Sequence, residues 1–294
     1  MGFFVALLVN GMLAGSLYAL IALAFVVVYK ASRMINFALG DFVMFASRLA
    51  AAGLHGLGLG LAGALGFGCA GMVALAMGFN RLVLRPLVGS PLIALIMVTI
   101  GLGTVLRAAA FFLFQGIPAR LPLPLPREPV TIQGVLLSVD ALVAAGIALL
   151  CIALVSWGFQ HSRIGIALRA IADDQQAAML VGINLNRYFA LTWALMGILC
   201  VVAGTLWTFI AGGGLSLVLV GLKVFPIVII GGLDSLPGTL LGAIFVGLLE
   251  SMAAGYLDPL LGGGFSTIAA HLVALVVLCM RPYGLCGKPD IERV

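Results

Sequence analysis

Charged residues are scarce in this chain of 294 residues. They make up 9% of the sequence, whereas a soluble globular domain carries about 25%. Hydrophobic residues account for 63% and the mean hydropathy is +1.27. The shortage of charge excludes an ordinary soluble domain, and continuous apolar runs exclude the alternating pattern of a membrane β-barrel. The composition therefore predicts an all-α, polytopic transmembrane helical bundle.

The sequence also lacks the common signatures of metal, nucleotide and enzyme chemistry. There is no Cys-x-x-Cys pair, no Gly-x-x-x-x-Gly-Lys-Ser/Thr loop and no His-Glu-x-x-His motif. We therefore expect no catalytic residue, no metal and no cofactor in this chain. The net charge is +5, and the Lys and Arg residues lie singly at the ends of apolar runs, where they orient helices. Nucleic acid is therefore not an expected partner. The five cysteines are interpreted as small buried hydrophobes: Cys69, Cys151, Cys200, Cys279 and Cys286.

The apolar runs predict the number of membrane crossings. A helix needs about 20 apolar residues to cross a bilayer, so a single domain over residues 1–294 has room for about eight or nine spans. A re-entrant helix would change this number. The nine assigned crossings, with the N-terminus outside and the C-terminus inside, are 4–29, 34–53, 57–79, 92–115, 135–159, 188–211, an interrupted stretch around Lys223, 238–256 and 267–280. A proline-rich stretch, 116–133, is predicted to form an external loop of extended backbone.

Two of the crossings are interrupted by polar residues, glycine or proline. An ionisable group at the centre of a membrane helix costs about 3 kcal/mol on insertion scales, so it tends to face a cavity or a partner. Such discontinuous helices line the substrate sites of transporters. The alternatives are that Asp41 caps a helix at the surface, that Arg48 and Arg107 snorkel, and that Pro226 only kinks a packing helix. The candidate residues of a substrate pathway are Asn36, Phe37, Gly40, Asp41, Arg48, Thr99, Arg107, Lys223 and Gly232.

The only long polar stretch, 160–187, lies mid-chain between apolar runs. Its core, 170–182, predicts a short amphipathic helix ended by Gly182, since glycine readily takes the positive φ that stops a helix. Arg163, Arg169 and Arg187 flank this core and mark the loop as cytoplasmic.

Several segments together resemble the branched-chain amino-acid ABC importer permeases of the LivH type. They are YALIALAFVVVYKASRMINFALGDFVMF, RPLVGSPLIALIMVTIGLG, SRIGIALRAIADDQQAAMLVGIN, GLKVFPIVIIGGLDSLPGTLLGAIFVGLLE and RPYGLCG, and they cover nearly the whole chain in order. Arg281, Lys288 and Arg293 predict a cytoplasmic C-terminus, and the resemblance implies a bacterial inner-membrane location. It also implies a second permease subunit of the LivM type, a periplasmic binding protein and two ATPase subunits that hold ATP and Mg²⁺.

The polar loop carries part of this resemblance. Gln176-Ala177-Ala178, followed three residues later by Gly182, resembles the Glu-Ala-Ala-x-x-x-Gly loop that docks into the ATPase subunit in ABC permeases. Gln176 stands where that pattern has Glu, and an ordinary interfacial helix is the alternative. The residues that would couple the permease to the ATPase are Ala170, Asp173, Asp174, Gln176, Ala177, Ala178 and Gly182.

The chain also departs from the family pattern. Leu39 stands where the family usually has His, and Arg48 and Arg107 are additional cations. These cations predict an anionic solute, such as an organic or aromatic carboxylate. Related permeases take up urea and short amides, so a branched-chain amino acid is the default substrate. The alternative function is an ATP-independent secondary transporter or channel, which would need an intramembrane carboxylate such as Glu250.

Overall fold

The computed structural model describes residues 2–87, 90–121, 130–132 and 135–287. The described chain is helical apart from one short hairpin. Three π-helical turns, Ala52–Gly56, Asn80–Leu84 and Ala253–Leu257, continue α2, α3 and α11, and Arg85–Leu87 is a 3₁₀ turn. The helices are α1 Gly2–Ser32, α2 Leu39–Ala51, α3 Leu61–Phe79, α4 Leu92–Leu113, α5 Val139–His161, α6 Arg163–Asp173, α7 Gln175–Leu180, α8 Leu185–Ala211, α9 Ser216–Leu222, α10 Val224–Gly231, α11 Leu236–Met252, α12 Asp258–Leu261 and α13 Phe265–Met280.

Six helices of the described chain are long and apolar enough to cross a membrane. The prediction of a polytopic helical membrane protein is therefore confirmed, whereas the eight or nine crossings are not. In the predicted span 34–53 the helix begins at Leu39, and α2 with its π-helical extension ends at Gly56. Two further apolar elements, Ser216–Gly231 and Phe265–Met280, are shorter. The six long helices are Gly2–Ser32, Leu61–Leu87, Leu92–Leu113, Val139–His161, Leu185–Ala211 and Leu236–Leu261.

A hairpin begins in the predicted external loop 116–133 and ends in the predicted span 135–159, where helix starts only at Val139. Strand β1, Val130–Ile132, pairs antiparallel with β2, Val135–Leu137, and Thr131 lies opposite Leu136. The absence of helix at 118–121 agrees with the proline-based prediction. Residues 122–129 and 133 of this loop lie outside the described part, and they include Pro122, Pro124, Pro126, Arg127, Glu128 and Pro129.

The chain divides into two compact units. The first contains Met1–Val26, Pro124–Ile152 and Lys223–Val294, and the second contains Val27–Leu123 and Ala153–Leu222. The predicted single permease domain over 1–294 remains a prediction.

Close helix packing in the second unit depends on small residues. Helix α2 packs against α3, α4, α8 and α9, and α3 also packs against α8. Where α2 crosses α9, a Cβ on Gly40 would collide with the Val218 carbonyl, and a Cβ on Gly221 would collide with the Gly40 backbone. Trp193 is 1% exposed and its ring lies 6.0 Å from the Phe42 ring. Small residues at helix crossings are how membrane helices approach each other without a hydrophobic driving force.

The first unit is packed in the same way. The N-terminal half of α1 lies on α11, where a Cβ on Gly11 would stand 2.8 Å from the Leu248 Cα atom. Gly15 meets the backbone of Ile244 at the same distance. Helix α10 packs against α11 and α13. The Gly-x-x-x-Gly pair at 11 and 15 thus forms a close helix crossing.

Candidate functional site

An ion pair joins helices α2 and α4 of the second unit. Asp41, in the first turn of α2, forms an ion pair with the Arg107 guanidinium on α4, with 3.1 Å between Oδ1 and Nε. The Asp41 side chain is 6% exposed and the Arg107 side chain is 46% exposed. Removing a carboxylate from water is costly unless a partner compensates its charge. Arg107 is therefore placed to compensate the charge of Asp41, while about half of its own side chain stays exposed.

Gly103 makes room for this pair. It lies one helical turn before Arg107 on α4, and a Cβ at Gly103 would collide with the Asp41 carboxylate. Gly103 is not among the predicted pathway residues. Its role depends on Asp41, which is 62 positions away, so no local pattern could reveal it.

The segment between α1 and α2 adds polar groups to the same region. Asn36 Oδ1 accepts a hydrogen bond from the Ala38 backbone N–H at 3.0 Å, and the Phe37 N–H donates to Thr99 Oγ1 at 3.2 Å. Asn36 is 1% exposed and Thr99 is 0% exposed. Asn36 Nδ2 is buried and has no hydrogen-bond partner among the described residues. An unsatisfied buried donor costs about 1–3 kcal/mol, so this amide is available to a water molecule or a solute when the site opens.

The structure thus brings six of the nine predicted pathway residues into one region of the second unit. Gly40 allows the close crossing of α2 and α9, and this crossing positions the first turn of α2, which carries Asp41. The six residues are Asn36, Phe37, Gly40, Asp41, Thr99 and Arg107.

Arg48 lies two turns further along α2 and is held separately. Its Nη2 donates to the Phe114 carbonyl, and its guanidinium carbon lies 5.6 Å from the centroid of the Phe114 ring. Arg48 also lines a cavity of about 310 Å³ together with Met44 and Gln115. A carbonyl and an aromatic face therefore stabilise this cation, and Asp41 does not.

Lys223 and Gly232 belong to the first unit, where they have other partners. Lys223 Nζ lies 2.9 Å from Glu250 Oε2, and the Tyr18 hydroxyl donates to the same oxygen at 2.7 Å. Lys223 also contacts the Tyr18 hydroxyl at 3.0 Å. Tyr18 stands in an unbroken apolar run, so the sequence held no signal for its part in this cluster. The predicted interruption is present as well, because α9 ends just before Lys223 and α10 begins just after it.

Gly232 forms a turn at the end of α10. Its φ is +105°, and a Cβ there would collide with the backbone of Gly287. The Cys286 N–H donates to the Gly231 carbonyl at 3.2 Å, so the residues after α13 cover this break. The close approach of two backbones explains the glycine at this position.

The polar loop folds as two helices, where the sequence predicted one over 170–182. Helix α6 ends at Asp173 and α7 begins at Gln175. Asp174 takes an extended conformation, and its Oδ1 accepts hydrogen bonds from the N–H groups of Gln176 at 2.8 Å and Ala177 at 3.0 Å. This N-cap is more favourable than continued helix at Asp174, because it satisfies two backbone donors that have no intrahelical partner.

The predicted stop at Gly182 is confirmed. Its φ is +85°, and its N–H donates to the Met179 carbonyl at 3.0 Å. The next N–H, of Ile183, donates back to the Ala178 carbonyl at 3.0 Å. These two hydrogen bonds form a Schellman motif, which glycine adopts without a Cβ penalty.

The tip of this loop exposes both polar and apolar groups. Ala178 is buried at 3%, whereas Leu180 is 89% exposed and Val181 is 76% exposed. Contiguous apolar exposure next to a polar helix start is typical of a surface that contacts a partner. We name residues 163–182 the coupling segment, after the role that the sequence predicts for them. The other predicted coupling residues lie on it: Asp173, Asp174, Gln176, Ala177 and Gly182 are exposed and Ala170 is half-buried.

Two hydrogen bonds that the sequence did not predict tie the coupling segment to the end of α1. Arg33 Nη2 donates to the Ala172 carbonyl at 3.1 Å, and Gln175 Nε2 donates to the Ala31 carbonyl at 3.4 Å. Arg33 has a φ of +55°, which is uncommon for a residue other than glycine. The segment that carries Asn36 and leads to Asp41 therefore begins at a contact with the coupling segment.

Comparison with known proteins identifies the family. Residues 7–280 match the family model described as branched-chain amino acid transport system / permease component. The chain is 31% identical over 304 residues to the high-affinity branched-chain amino acid transport system permease protein BraD of Pseudomonas aeruginosa, covering 98% of this chain and 97% of BraD. It is 29% identical over 307 residues to the permease protein LivH of Escherichia coli, covering 99% and 98%.

A solved structure, PsaBC from Streptococcus pneumoniae in complex with Fab, is similar with a TM-score of 0.49 and 17% identity, over 92% of this chain and 90% of that chain. The family model and the near full-length similarity to BraD agree. The chain therefore belongs to the family of branched-chain amino acid transport system permease components.

Proposed function

We propose that this chain is a transmembrane permease subunit of an ABC importer for branched-chain amino acids or a related small solute. A periplasmic binding protein delivers the solute, and separate ATPase subunits hydrolyse ATP with Mg²⁺. The observation that carries the proposal is the near full-length similarity to BraD and LivH, which are named as permease proteins of high-affinity branched-chain amino acid transport systems. The importer also contains a second permease subunit of the LivM type.

The solute pathway in this proposal passes the Asp41–Arg107 ion pair. An amino acid carries one carboxylate and one ammonium group, so it can bind Arg107 with the first and Asp41 with the second. This exchange keeps both charges compensated throughout, which avoids the cost of an unpaired buried ion. Because Asp41 already neutralises Arg107, a zwitterion or a short amide suits the region better than a simple anion.

The coupling segment in this proposal docks on an ATPase subunit. The exposed side chains of Leu180 and Val181 supply apolar contact area, and the Asp174 N-cap stabilises the first turn of α7. Motion of this segment reaches the pathway through the Arg33 and Gln175 hydrogen bonds to the neighbouring backbone. ATP-driven closure of the ATPases thereby changes access at Asp41.

The membrane topology in this proposal places the coupling segment and the C-terminus in the cytoplasm of a bacterium, with the helices in the inner membrane. Eight or nine crossings remain our expectation, since the shorter apolar elements add to the six long helices. Arg281 supports the cytoplasmic C-terminus by its position just after α13. Lys288 and Arg293 lie outside the described residues.

The test is uptake of labelled L-leucine by proteoliposomes that contain this chain, its partner permease and the ATPases. Uptake should need both the binding protein and ATP, and a non-hydrolysable ATP analogue should abolish it. Uptake that proceeds without ATPase subunits would instead support the secondary transporter or channel. A complex that hydrolyses ATP in response to a different liganded binding protein would correct the solute and keep the ABC assignment.

A further inference from the structure

A second cavity lies inside the second unit beside the coupling segment. It is a partly open cavity of about 140 Å³ where the end of α3 meets the starts of α7 and α8. A cavity needs about 10–15 Å³ to hold one water molecule, so this volume admits a solute of amino-acid size. The residues of the Asp41–Arg107 region do not line it, so the two sites are separate.

One wall of the cavity is built by an irregular end of α3. The helix widens into the π-helical turn Asn80–Leu84 and then tightens into the 3₁₀ turn Arg85–Leu87, which puts Asn80 and Arg85 on the cavity wall. Asn80 is 3% exposed, and its amide side chain lines the cavity. π-Helical turns recur at functional sites. The irregular backbone and the polar lining together indicate that this wall is shaped for a ligand.

The remaining lining defines the chemistry of that ligand. Gln175 and Asn186 supply further amide groups, and Phe189 and Trp193 form an apolar wall. Arg85 supplies a guanidinium, which matches the planar geometry of a carboxylate. Neither Asp nor Glu is present among the described lining residues, so the lining favours an anion over a cation.

We propose that this cavity binds a small carboxylate with an aliphatic tail. The carboxylate lies against Arg85 and the amides, and the tail lies against Phe189 and Trp193. Gln175 is the first residue of α7 and Asn186 lies in the first turn of α8, so a bound carboxylate connects the end of α3 to the coupling segment. If the proposed importer function holds, carboxylate on this side of the membrane restrains the coupling segment and slows uptake.

Trp193 provides a direct binding measurement on the full-length permease. The chain has three tryptophans, so the double variant Trp157→Phe/Trp207→Phe leaves Trp193 as the only indole reporter. Titration with 4-methylpentanoate and with L-leucine should give a saturable change in fluorescence. The uncharged 4-methylpentanamide should bind at least about tenfold more weakly, which is about 1.4 kcal/mol. Equal binding of acid and amide, or no saturable change with either acid, overturns the proposal.

The matched variants are Arg85→Gln and Arg81→Gln. Both arginines are exposed and four residues apart, but only Arg85 lines the cavity. Arg85→Gln should weaken 4-methylpentanoate binding about tenfold and leave the amide unaffected, while Arg81→Gln should change neither. If both variants weaken 4-methylpentanoate binding equally, the proposal of a carboxylate site at Arg85 is overturned. The comparison of acid with amide on the chain with native Arg85 remains decisive even if Arg85→Gln does not fold.

A lipid phosphate is the other possible source of an anion for Arg85. The titration is therefore repeated in nanodiscs of phosphatidylcholine with and without phosphatidylglycerol. Saturable binding of 4-methylpentanoate in both membranes supports the small-carboxylate site. A Trp193 change caused by phosphatidylglycerol alone, with no response to 4-methylpentanoate, assigns the cavity to lipid and overturns the proposal. ATP-dependent uptake by the unmodified complex is measured in parallel, so failure of the importer function is distinguished from failure of this site.

Discussion

The carboxylate of Asp41 occupies the space beside α4 that a side chain on Gly103 would need. A Cβ at Gly103 would collide with Asp41 Oδ2 and would also stand 3.1 Å from Asp41 Cγ. The ion pair between Asp41 and Arg107 therefore requires a glycine one turn before the arginine. The Asp41 carboxylate on α2 is thus matched by the charge of Arg107 and by the space at Gly103, both on α4.

Gly103→Ala should reduce ATP-dependent uptake by at least about tenfold, because the methyl group displaces Asp41 from Arg107 and leaves a partly buried charge unpaired. The measurement is initial uptake rate in proteoliposomes, normalised to the amount of inserted permease. Gly101→Ala on the same helix is the control, since a Cβ there meets no atom within 4 Å. Similar rates for both variants would show that the Asp41 position does not matter for transport.

Breaking the Lys223–Glu250 pair should destabilise the protein more than removing both charges. Either Lys223→Met or Glu250→Gln leaves its partner largely buried without compensation, and such a loss costs about 3–5 kcal/mol for a fully buried pair. The double variant should recover a large part of this loss. Thermal unfolding of the purified permease in detergent, arranged as a double-mutant cycle, measures the coupling. Strict additivity of the two single variants would contradict an interacting pair.

Gly182→Val should uncouple ATP hydrolysis from solute delivery. A β-branched residue at a φ of +85° is strained, so the Schellman end of α7 loosens and the exposed loop tip changes direction. Substrate-stimulated ATPase activity should fall while the complex still inserts. Gly158→Ala, inside α5 with no atom within 4 Å of the added Cβ, is the control. Normal stimulation in Gly182→Val would make the loop a simple connector.

The N-cap at Asp174 gives a second test of the coupling segment, and this test depends on the hydrogen bonds of the cap. Asp174→Ala removes the acceptor for two backbone N–H groups and costs about 1 kcal/mol of helix stability. Coupled ATPase activity should fall, and Asp174→Asn should restore it because asparagine caps as well as aspartate. If Asn behaves like Ala, the negative charge and not the cap is what the partner requires.

Several features could be predicted from local sequence. The stop at Gly182 follows from one glycine after an amphipathic run, and the break around Lys223 and Gly232 follows from lysine, proline and paired glycines in an apolar stretch. The single helix over 170–182 was wrong, because the cap preference of Asp174 exceeded the helix propensity of its neighbours. The helix within the predicted span 34–53 begins later than expected, since the Ala38 N–H donates to Asn36 Oδ1 and the helix starts only at Leu39.

Composition and local propensity determined, from the sequence by itself, that this chain is a helical membrane protein with one exposed polar loop and interrupted helices. Those properties depend on groups within a few residues of each other and on the cost of placing charge in lipid. Only the tertiary structure decided that Arg107 compensates Asp41, that Tyr18 joins Lys223 and Glu250, and that Gly103 leaves space for a carboxylate. These pairs are separated by 27 to 232 positions, as between Lys223 and Glu250 and between Tyr18 and Glu250, and helix packing alone brings them together.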